Sequence, residues 1–564
     1  MQHLHRLLIA VWILCLPAEG QSVLYRFGGP AAYAYAGSAA APAGDFDQDG
    51  WPDVLIGAPT ALTAGLMTGR VEVRSGRDGS MIRVFVGPSH NEYIGTSVAC
   101  AGDVDADGHL DIITGGRSAS LDGICARVYS GATGVRIHEF LGQHDEGFGV
   151  SVAGLGDVDH DGHDDLLIGG PGFILNGQDV GRAVVLSGAT GQQLRAIFGP
   201  TSQGYFGYAV ANSGDVDLDG TNDIIVGALN SDINGFDSGS AFVYSGATGA
   251  LLHSLHGTTN QAHFGCSVAA AGDVDSDGHS DVIVGAYADS TVGPRFGAAR
   301  VFSGATGAQL IVLGGTVSDA RFGGSVAGAG DVDADGHADL IVGASSFGYG
   351  PFVHGGIAKV FSGADGSTLY ILSGDSNHAA FGWVVAQAGD VNCDGFDDVI
   401  VGARTDDFPD TDSGSVSVVL SHCPRPRTYC DGRTTALGCT PQIGASGVAS
   451  LTTGNGLRVA VTSLPNRRDG VIFWGLRADH QPFAGGALCV GSPTVRSGVQ
   501  NSSGSQLPIR DCSGSHSFTF DRAYLAGVIG AGTVMYVQYL GRDPTVAPAD
   551  EYILSSGLAF VICP

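Results

Sequence analysis

Carboxylates at a fixed spacing are the residues of this sequence best suited to chemistry. The string D-x-D-x-D-G-x-x-D begins at Asp45, Asp103, Asp157, Asp215, Asp273 and Asp331, and returns at Asp390 with one Asn. It sets side-chain oxygens at positions 1, 3, 5 and 9. These are Asp45, Asp47, Asp49 and Asp53; Asp103, Asp105, Asp107 and Asp111; Asp157, Asp159, Asp161 and Asp165; and Asp215, Asp217, Asp219 and Asp223. The later loops supply Asp273, Asp275, Asp277 and Asp281; Asp331, Asp333, Asp335 and Asp339; and Asp390, Asn392, Asp394 and Asp398. Alternation turns these groups toward one centre. Gly at position 6 permits a sharp bend that brings the position 7 carbonyl of Trp51, His109, His163, Thr221, His279, His337 or Phe396 into the same shell. Ca2+ takes about six to eight oxygens at about 2.3–2.6 Å, so four carboxyl groups, one carbonyl and water meet its demand.

Ordinary solvated turns also favour Asp, but not at this density. Seven loops with four side-chain positions give 28 places, of which 27 are Asp and one is Asn392, about half of the 56 acidic residues in the chain. Carboxylates held within about 5 Å repel one another without an ion, so metal binding is expected to contribute to folding. Asn392 keeps an oxygen but lowers the charge, which makes loop seven the expected weakest site. An EF-hand would need Glu at position 12 between helices, whereas position 12 here is Ile56, Thr114, Ile168 or Val226 in a β-rich run. Mg2+ dehydrates reluctantly and fits an all-protein cage less well. The histidines at position 7 invite a transition-metal reading, but each lies in a separate repeat and offers its backbone oxygen.

The loops recur at intervals of 58, 54, 58, 58, 58 and 59 residues, a period long enough for one four-stranded sheet per repeat. In the unit from Phe206 to Gly257, apolar stretches flank the acidic loop. A variable loop, a third strand near Ser240–Tyr244, the turn Ser245-Gly246-Ala247-Thr248-Gly249 and a fourth run Leu251–Leu255 follow. Seven repeats predict seven blades, each with one calcium ion. The seventh repeat stops after its third strand, while Leu24-Tyr25-Arg26-Phe27-Gly28-Gly29-Pro30 copies the fourth-strand segment Leu194–Pro200. The N-terminal strand, residues 23–27, is therefore expected to complete the last blade and close the ring.

Phe-Gly opens the unit at Phe148, Phe206, Phe264, Phe322 and Phe381, Gly-Asp precedes the acidic loop, and Val-Gly-Ala follows it. Over roughly residues 23–422 this pattern resembles the FG-GAP repeats of integrin α-subunit heads. Ile94-Gly95 and Ala36-Gly37 replace Phe-Gly in repeats two and one, and Pro after Gly-Ala survives only at Pro59, with Pro171 in a variant. The resemblance implies a β-propeller whose face opposite the calcium loops recognises ligands. Integrin α heads generally fill only some blades, so seven intact loops imply a constitutively loaded scaffold.

No catalytic motif stands out. Gly95-Thr96-Ser97-Val98-Ala99 and Gly265-Cys266-Ser267-Val268-Ala269 approach a nucleophile elbow but end in Ala and recur in register with the repeat. The chain holds no H-E-x-x-H, Walker A or dinucleotide fingerprint. Loops between second and third strands carry Phe173, Phe236, Phe296, Phe347, Tyr349, Phe352 and Phe408 among Asn and Asp. Such rings either anchor long loops or meet a protein or glycan ligand. The leading expectation is a binding or adhesion module; the alternative is an extracellular propeller-based hydrolase or polysaccharide lyase. A basic or His/Tyr cluster at the mouth of the central channel would favour the enzyme.

The remaining composition sets the context. With 27 Lys and Arg against 56 acids, the net charge of −29 argues against nucleic acid. Residues 1–20 read as a signal peptide, with His3, His5 and Arg6, an apolar run Leu7–Leu16 and small residues at Ala18-Glu19-Gly20. This implies a secreted or cell-surface protein. No later stretch reads as a membrane span; Tyr524–Leu540 is broken by Gly and carries Gln538. The expected class is all-β: a seven-bladed β-propeller over residues 21–422, then a C-terminal disulfide-containing β-sandwich-like domain over 423–564. Six cysteines there suit bridges better than zinc, with Cys430–Cys439, Cys489–Cys512 and Cys423–Cys563 the preferred pairs. A role as surface anchor or sorting element fits this domain. In the propeller, Cys100 and Cys125 share a blade and are expected to pair, leaving Cys266 and Cys393 free.

Overall fold

The computed structural model describes residues 22–421, apart from 119–122, 144, 349–354 and 393–394, together with strand segments between 427 and 561. The expected signal segment, Tyr349, Phe352, Cys393 and Asp394 lie outside the described residues.

Each repeat folds into a four-stranded antiparallel sheet. Blade four is representative, with strands Phe206–Gly214, Asp223–Ala228, Ser240–Tyr244 and Leu251–His256 in spatial order. The second strand is apolar at nearly every position and buried along its whole length in six blades, and over Asp111–Gly116 in blade two. A sheet packed on both faces demands this pattern. The first strands stand side by side around an axis, that of blade seven packing on that of blade one. Seven apolar clusters fill the clefts between neighbouring blades; one joins Leu167 and Val185 of blade three to Ile224, Val226 and Phe242 of blade four.

The Phe-Gly signature has a packing cause. Phe206 is fully buried against Phe242 and Tyr244, and its backbone bridges to Gly181 of the preceding blade. Gly207 has φ of 91°, and a Cβ there would lie 2.2 Å from the Arg182 carbonyl, so only glycine fits. Ile94 and Ala36, which replace Phe, remain buried at 0% and 2% exposure. The site needs an apolar plug more than an aromatic one.

A second ring of contacts runs around the outside. The same position of each fourth strand reaches the turn between third and fourth strands of the next blade. Arg83 donates to Ala132 O (2.9 Å), His138 to Gly188 O (2.6 Å), Arg195 to Gly246 O (2.6 Å) and His253 to Gly304 O (2.5 Å). Ile311 packs on Gly366, and Tyr370 bonds Ser421 (2.8 Å). Strand Ser22–Gly28 pairs antiparallel with Ser415–Leu420 as the fourth strand of blade seven, and its Tyr25 donates to Arg77 O of blade one (2.8 Å). The circuit is complete.

Charged pairs are buried in the same clefts: Arg127 with Glu92, Arg182 with Glu146, and Arg300 with Asp289. At the seam, Arg26 bridges Asp375 (2.7 Å) and the buried Asp406 (2.5 Å). One expected contact is not made: Cys100 and Cys125 are both free. Cys100 faces Ile112 and Cys125 faces Gly116 on the strand between them, so a whole strand and several residues of register keep them apart. Cys266 is free, as expected.

Beyond residue 426 the described strands form two larger antiparallel sheets and the two-stranded hairpin Ala478–Phe483 with Gly486–Val490. One holds Gln442–Ser446, Leu457–Leu464 and Gly514–Phe520; the larger includes Asp469–Gly475 and Val534–Arg542. Val459, Val461 and Phe520 of the first meet Ile472, Trp474, Val537 and Tyr539 of the second in one core. The cysteine side chains expected to pair there lie outside the described residues. No described helix is long and apolar enough to cross a membrane.

Replacing Arg26 by Ala leaves Asp406 buried with only Ser376 and Ser415 as donors. The expected cost is about 2–4 kcal/mol, read as a lower urea midpoint at unchanged secondary structure. A variant within about 0.5 kcal/mol of the parent, which is about the measuring error, would show that the clasp at the seam contributes nothing.

Candidate metal centre

Each acidic loop joins the first strand to the second, and its ninth residue begins the second strand. That residue is fully buried in all seven blades. In blade four, Asp223 Oδ2 accepts the N–H of Val216 (2.8 Å), at loop position 2, and Oδ1 accepts that of Gly246 (2.8 Å), in the turn between third and fourth strands. Asp53, Asp111, Asp165, Asp281 and Asp339 make the same two kinds of bond. Asp398 uses Val391 and Ser421. Position 9 thus fastens the loop to the body of its blade.

Position 1 shapes the loop from within. Asp215 Oδ1 accepts the N–H of Asp219 (3.0 Å) and Oδ2 that of Gly220 (2.9 Å). Position 4 takes a left-handed backbone at Gln48, Ala106, His160, Leu218, Ser276 and Ala334, with φ of 55–61°. For residues other than glycine this costs about 1 kcal/mol each, so the remaining bonds must hold it.

In loops one to five the oxygens of positions 1, 3 and 9 lie within 4.8 Å of one another; Asp45, Asp47 and Asp53 are one set and Asp273, Asp275 and Asp281 another. A sixth such group occurs among the described residues. Two ligands on opposite sides of a calcium ion are about 4.8 Å apart, so the spacing suits a divalent cation. Position 5 is placed differently. The carboxylates of Asp49, Asp107, Asp161, Asp219, Asp277 and Asp335 accept the position 7 N–H at 2.9–3.1 Å and lie outside the tight groups.

Electrostatics point the same way. Burial, opposed by the two backbone donors, pushes Asp53, Asp111, Asp165, Asp223 and Asp281 up to about 6, and Asp339 to about 7. Burial and then neighbouring carboxylates raise Asp47, Asp105, Asp217, Asp275 and Asp333. Raised carboxyl groups destabilise the fold as pH climbs past their unfolded value, and a dication in their midst removes that penalty.

Position 7 histidines have a second duty that spacing alone does not reveal. Nδ1 of His163, His279 and His337 donates to the carbonyl of Val104 (2.8 Å), Val216 (2.7 Å) and Val274 (2.8 Å), each at position 2 of the preceding loop. In four loops the N–H of position 8 reaches the carbonyl of position 1 in the preceding loop: Asp164 to Asp103 (3.1 Å), Ser280 to Asp215 (3.3 Å), Ala338 to Asp273 (3.2 Å) and Asp397 to Asp331 (3.2 Å). Adjacent loops are therefore linked in a belt. Residue type at positions 7 and 8 varies, which hides the pattern in a linear reading.

The loops between second and third strands emerge at the other end of the buried second strand, hence on the opposite face. Phe236 and Phe408 stand out there at 61% and 42% exposure. Phe173 is buried against Phe198 and beneath Arg182, so it anchors its loop.

Two substitutions separate the roles of positions 3 and 9. Asp223→Ala orphans two N–H groups and is expected to cost about 2–4 kcal/mol with or without calcium. Asp217→Asn keeps an oxygen and is expected to cost stability only when calcium is present. Denaturant midpoints of both variants, with and without chelator, check this; equal metal-free stability would refute the fastening role of position 9.

The model for the "FG-GAP repeat" matches residues 36–71, 148–186, 264–302, 322–372 and 381–419. Repeat two, where Ile94 replaces Phe, and repeat four fall outside those stretches. Among curated proteins, "Integrin alpha pat-2" of Caenorhabditis elegans is 34% identical over 226 residues, covering 35% of this chain and 18% of that protein. "Integrin alpha-V" of Gallus gallus is 35% identical over 218 residues, 36% of this chain and 21% of its own. "Integrin alpha-5" of Xenopus laevis is 31% identical over 221 residues, 36% and 20% respectively. The chain thus spans about a fifth of the length of these relatives. With the repeats, the buried Phe-Gly plugs and the acidic loops in register, this chain is an integrin-α-like FG-GAP repeat protein.

Proposed function

We propose that this chain is a secreted or cell-surface binding and adhesion module, not an enzyme, whose propeller is held by about seven calcium ions, one per blade. The observation that carries this is the division of labour along each second strand: a carboxylate cluster rooted in a buried aspartate at one end, a variable loop at the other. The spacing of the three clustered oxygens suits calcium, with the remaining ligands left to position 5, the position 7 carbonyl and water. Asp45, Asp103, Asp157, Asp215, Asp273, Asp331 and Asp390 lead the seven ligand sets.

The opposite face is proposed to meet a protein or glycan ligand. The mouth of the axial channel on that face is walled by Ser97, Ser151, Val152, Val210, Ser267 and Ser325. Its titratable lining residues, Tyr208 and Cys266, are both pushed up by burial, Cys266 to about 11, so neither is a ready base or nucleophile. This favours recognition over a hydrolase or lyase. The C-terminal sheets would then present or anchor the propeller.

Calcium removal tests the scaffold half of the proposal. Chelation is expected to lower the melting temperature by about 10 °C or more, with full recovery on adding calcium and less on adding magnesium. Indifference to chelator would remove the calcium reading. Retention on glycan and extracellular-protein arrays, abolished by chelator, tests the binding half.

A further inference from the structure

Of the 27 lysine and arginine side chains only one is a lysine, Lys359, and it stands where two other blades place an arginine. Lys359 faces Val342 on the second strand of blade six and Ile371 on the fourth. In the same register Arg127 faces Thr114 and Arg300 faces Val284. Those guanidinium groups are neutralised, Arg127 by Glu92 and Arg300 by Asp289. Blade six supplies neither acid. Glu92 lies two residues before the plug Ile94, where Ala320 precedes Phe322; Asp289 lies three residues after Ala286, where Phe347 follows Ala344. Phe347 donates its N–H to Ala344 O and accepts that of Gly356, as Asp289 does with Ala286 and Gly297, so the two occupy the same backbone place.

No other carboxylate takes their part. The stretch Ser345 to Gly356 contains no Asp or Glu, and neither do the first, third and fourth strands of the blade or the fourth strand of blade five. Asp339, at the head of the second strand, accepts the N–H groups of Val332 and Gly363; Asp319 pairs with Arg295 (2.7 Å) and Asp375 with Arg26 (2.7 Å). Among the described residues the Lys359 ammonium makes no ion pair or hydrogen bond, and it lies 5.8 Å from the Phe322 ring centroid. Its side chain leaves the strand on the face of Ile357 and Phe361, half-buried in the apolar cleft between blades five and six to which Phe322 and Phe347 belong. Burial lowers its pKa from the ordinary lysine value, and a ring at that distance opposes this only weakly. A lysine relieved of its proton in apolar surroundings is a nucleophile, which a guanidinium is not.

We propose that Lys359 is a covalent acceptor for a small apolar aldehyde in the cleft between blades five and six. The amine nitrogen bonds to the carbonyl carbon and the carbonyl π pair moves to oxygen. Both amine hydrogens end on that oxygen, which departs as water as the C=N bond forms. Nothing is oxidised or reduced, and water reverses the step. Apolar walls favour an aromatic or aliphatic aldehyde over a polyhydroxylated one. The site is independent of the face opposite the acidic loops and goes beyond the binding reading above.

The test treats the full calcium-loaded chain with naphthaldehyde, and in parallel with ribose, while cyanoborohydride traps each imine as a stable amine. Peptide masses separate Lys359 from the N-terminal amine. With naphthaldehyde near neutral pH, Lys359 in the folded chain is expected to react about fivefold or more faster than in the chain unfolded by guanidinium chloride. Its rate should level off at a lower pH than in the unfolded chain. Phe347→Asp or Ala320→Glu restores a carboxylate and is expected to slow Lys359 by about fivefold or more and to move that pH upward. Melting temperature shows which variant is folded; if neither is, the comparison of folded with unfolded parent decides alone. A rate in the folded chain no greater than in the unfolded one, or folded variants that react like the parent, overturns the proposal. Trapping of ribose as fast as naphthaldehyde also overturns it, because the cleft would then not select an apolar aldehyde.

Discussion

A buried aspartate at the head of each second strand is the constraint on which the rest of the molecule depends. Its two oxygens tie an exposed, strained loop to a distant turn of the same blade, and the same carboxylate lies within 4.8 Å of the oxygens of positions 1 and 3. Burying an unpaired anion is costly, so a position of this kind persists only where backbone donors and a cation share its charge. Repetition of the device places the acidic loops on one face, with six carboxylate clusters among the described residues, and frees the opposite face to vary. Fold and metal demand are then one property, because the group that organises the sheet is also the one that calls for the ion.

Much of this was legible in the linear sequence. A period near 58 residues, apolar second strands and glycine after three alternating aspartates leave little freedom about blade number or loop chemistry, since each feature follows from local sterics or ligand count. The copy of a fourth strand at Leu24–Pro30 likewise points to its partner. What the spacing does not carry is contact between repeats. The His163 bond to Val104, the position 8 link of Asp397 to Asp331 and the clasp of Arg26 on Asp406 all join residues more than fifty apart, through side chains that differ from blade to blade.

The mistaken cysteine pair had the same origin. Pairing Cys100 with Cys125 treats membership of one blade as proximity, yet a sheet separates its strands by whole increments and register decides which thiols can meet. Of the two roles open to rings in the variable loops, Phe173 takes the anchoring one, its burial beside Phe198 making it part of its loop's footing. Alternation likewise does not reveal that one oxygen of the position 5 carboxylate accepts the position 7 N–H.

The antiparallel seam has a mechanical corollary. Ser22 pairs with Leu420, so the chain enters and leaves the propeller at the same corner. There the belt between acidic loops is also interrupted, because Pro52 at position 8 of loop one has no N–H to offer. Tension applied between the two ends would peel the closing strand rung by rung instead of shearing it. A module tethered at both ends would yield at this corner under small forces, whereas one held from a single end could bear load through its face with the closure undisturbed.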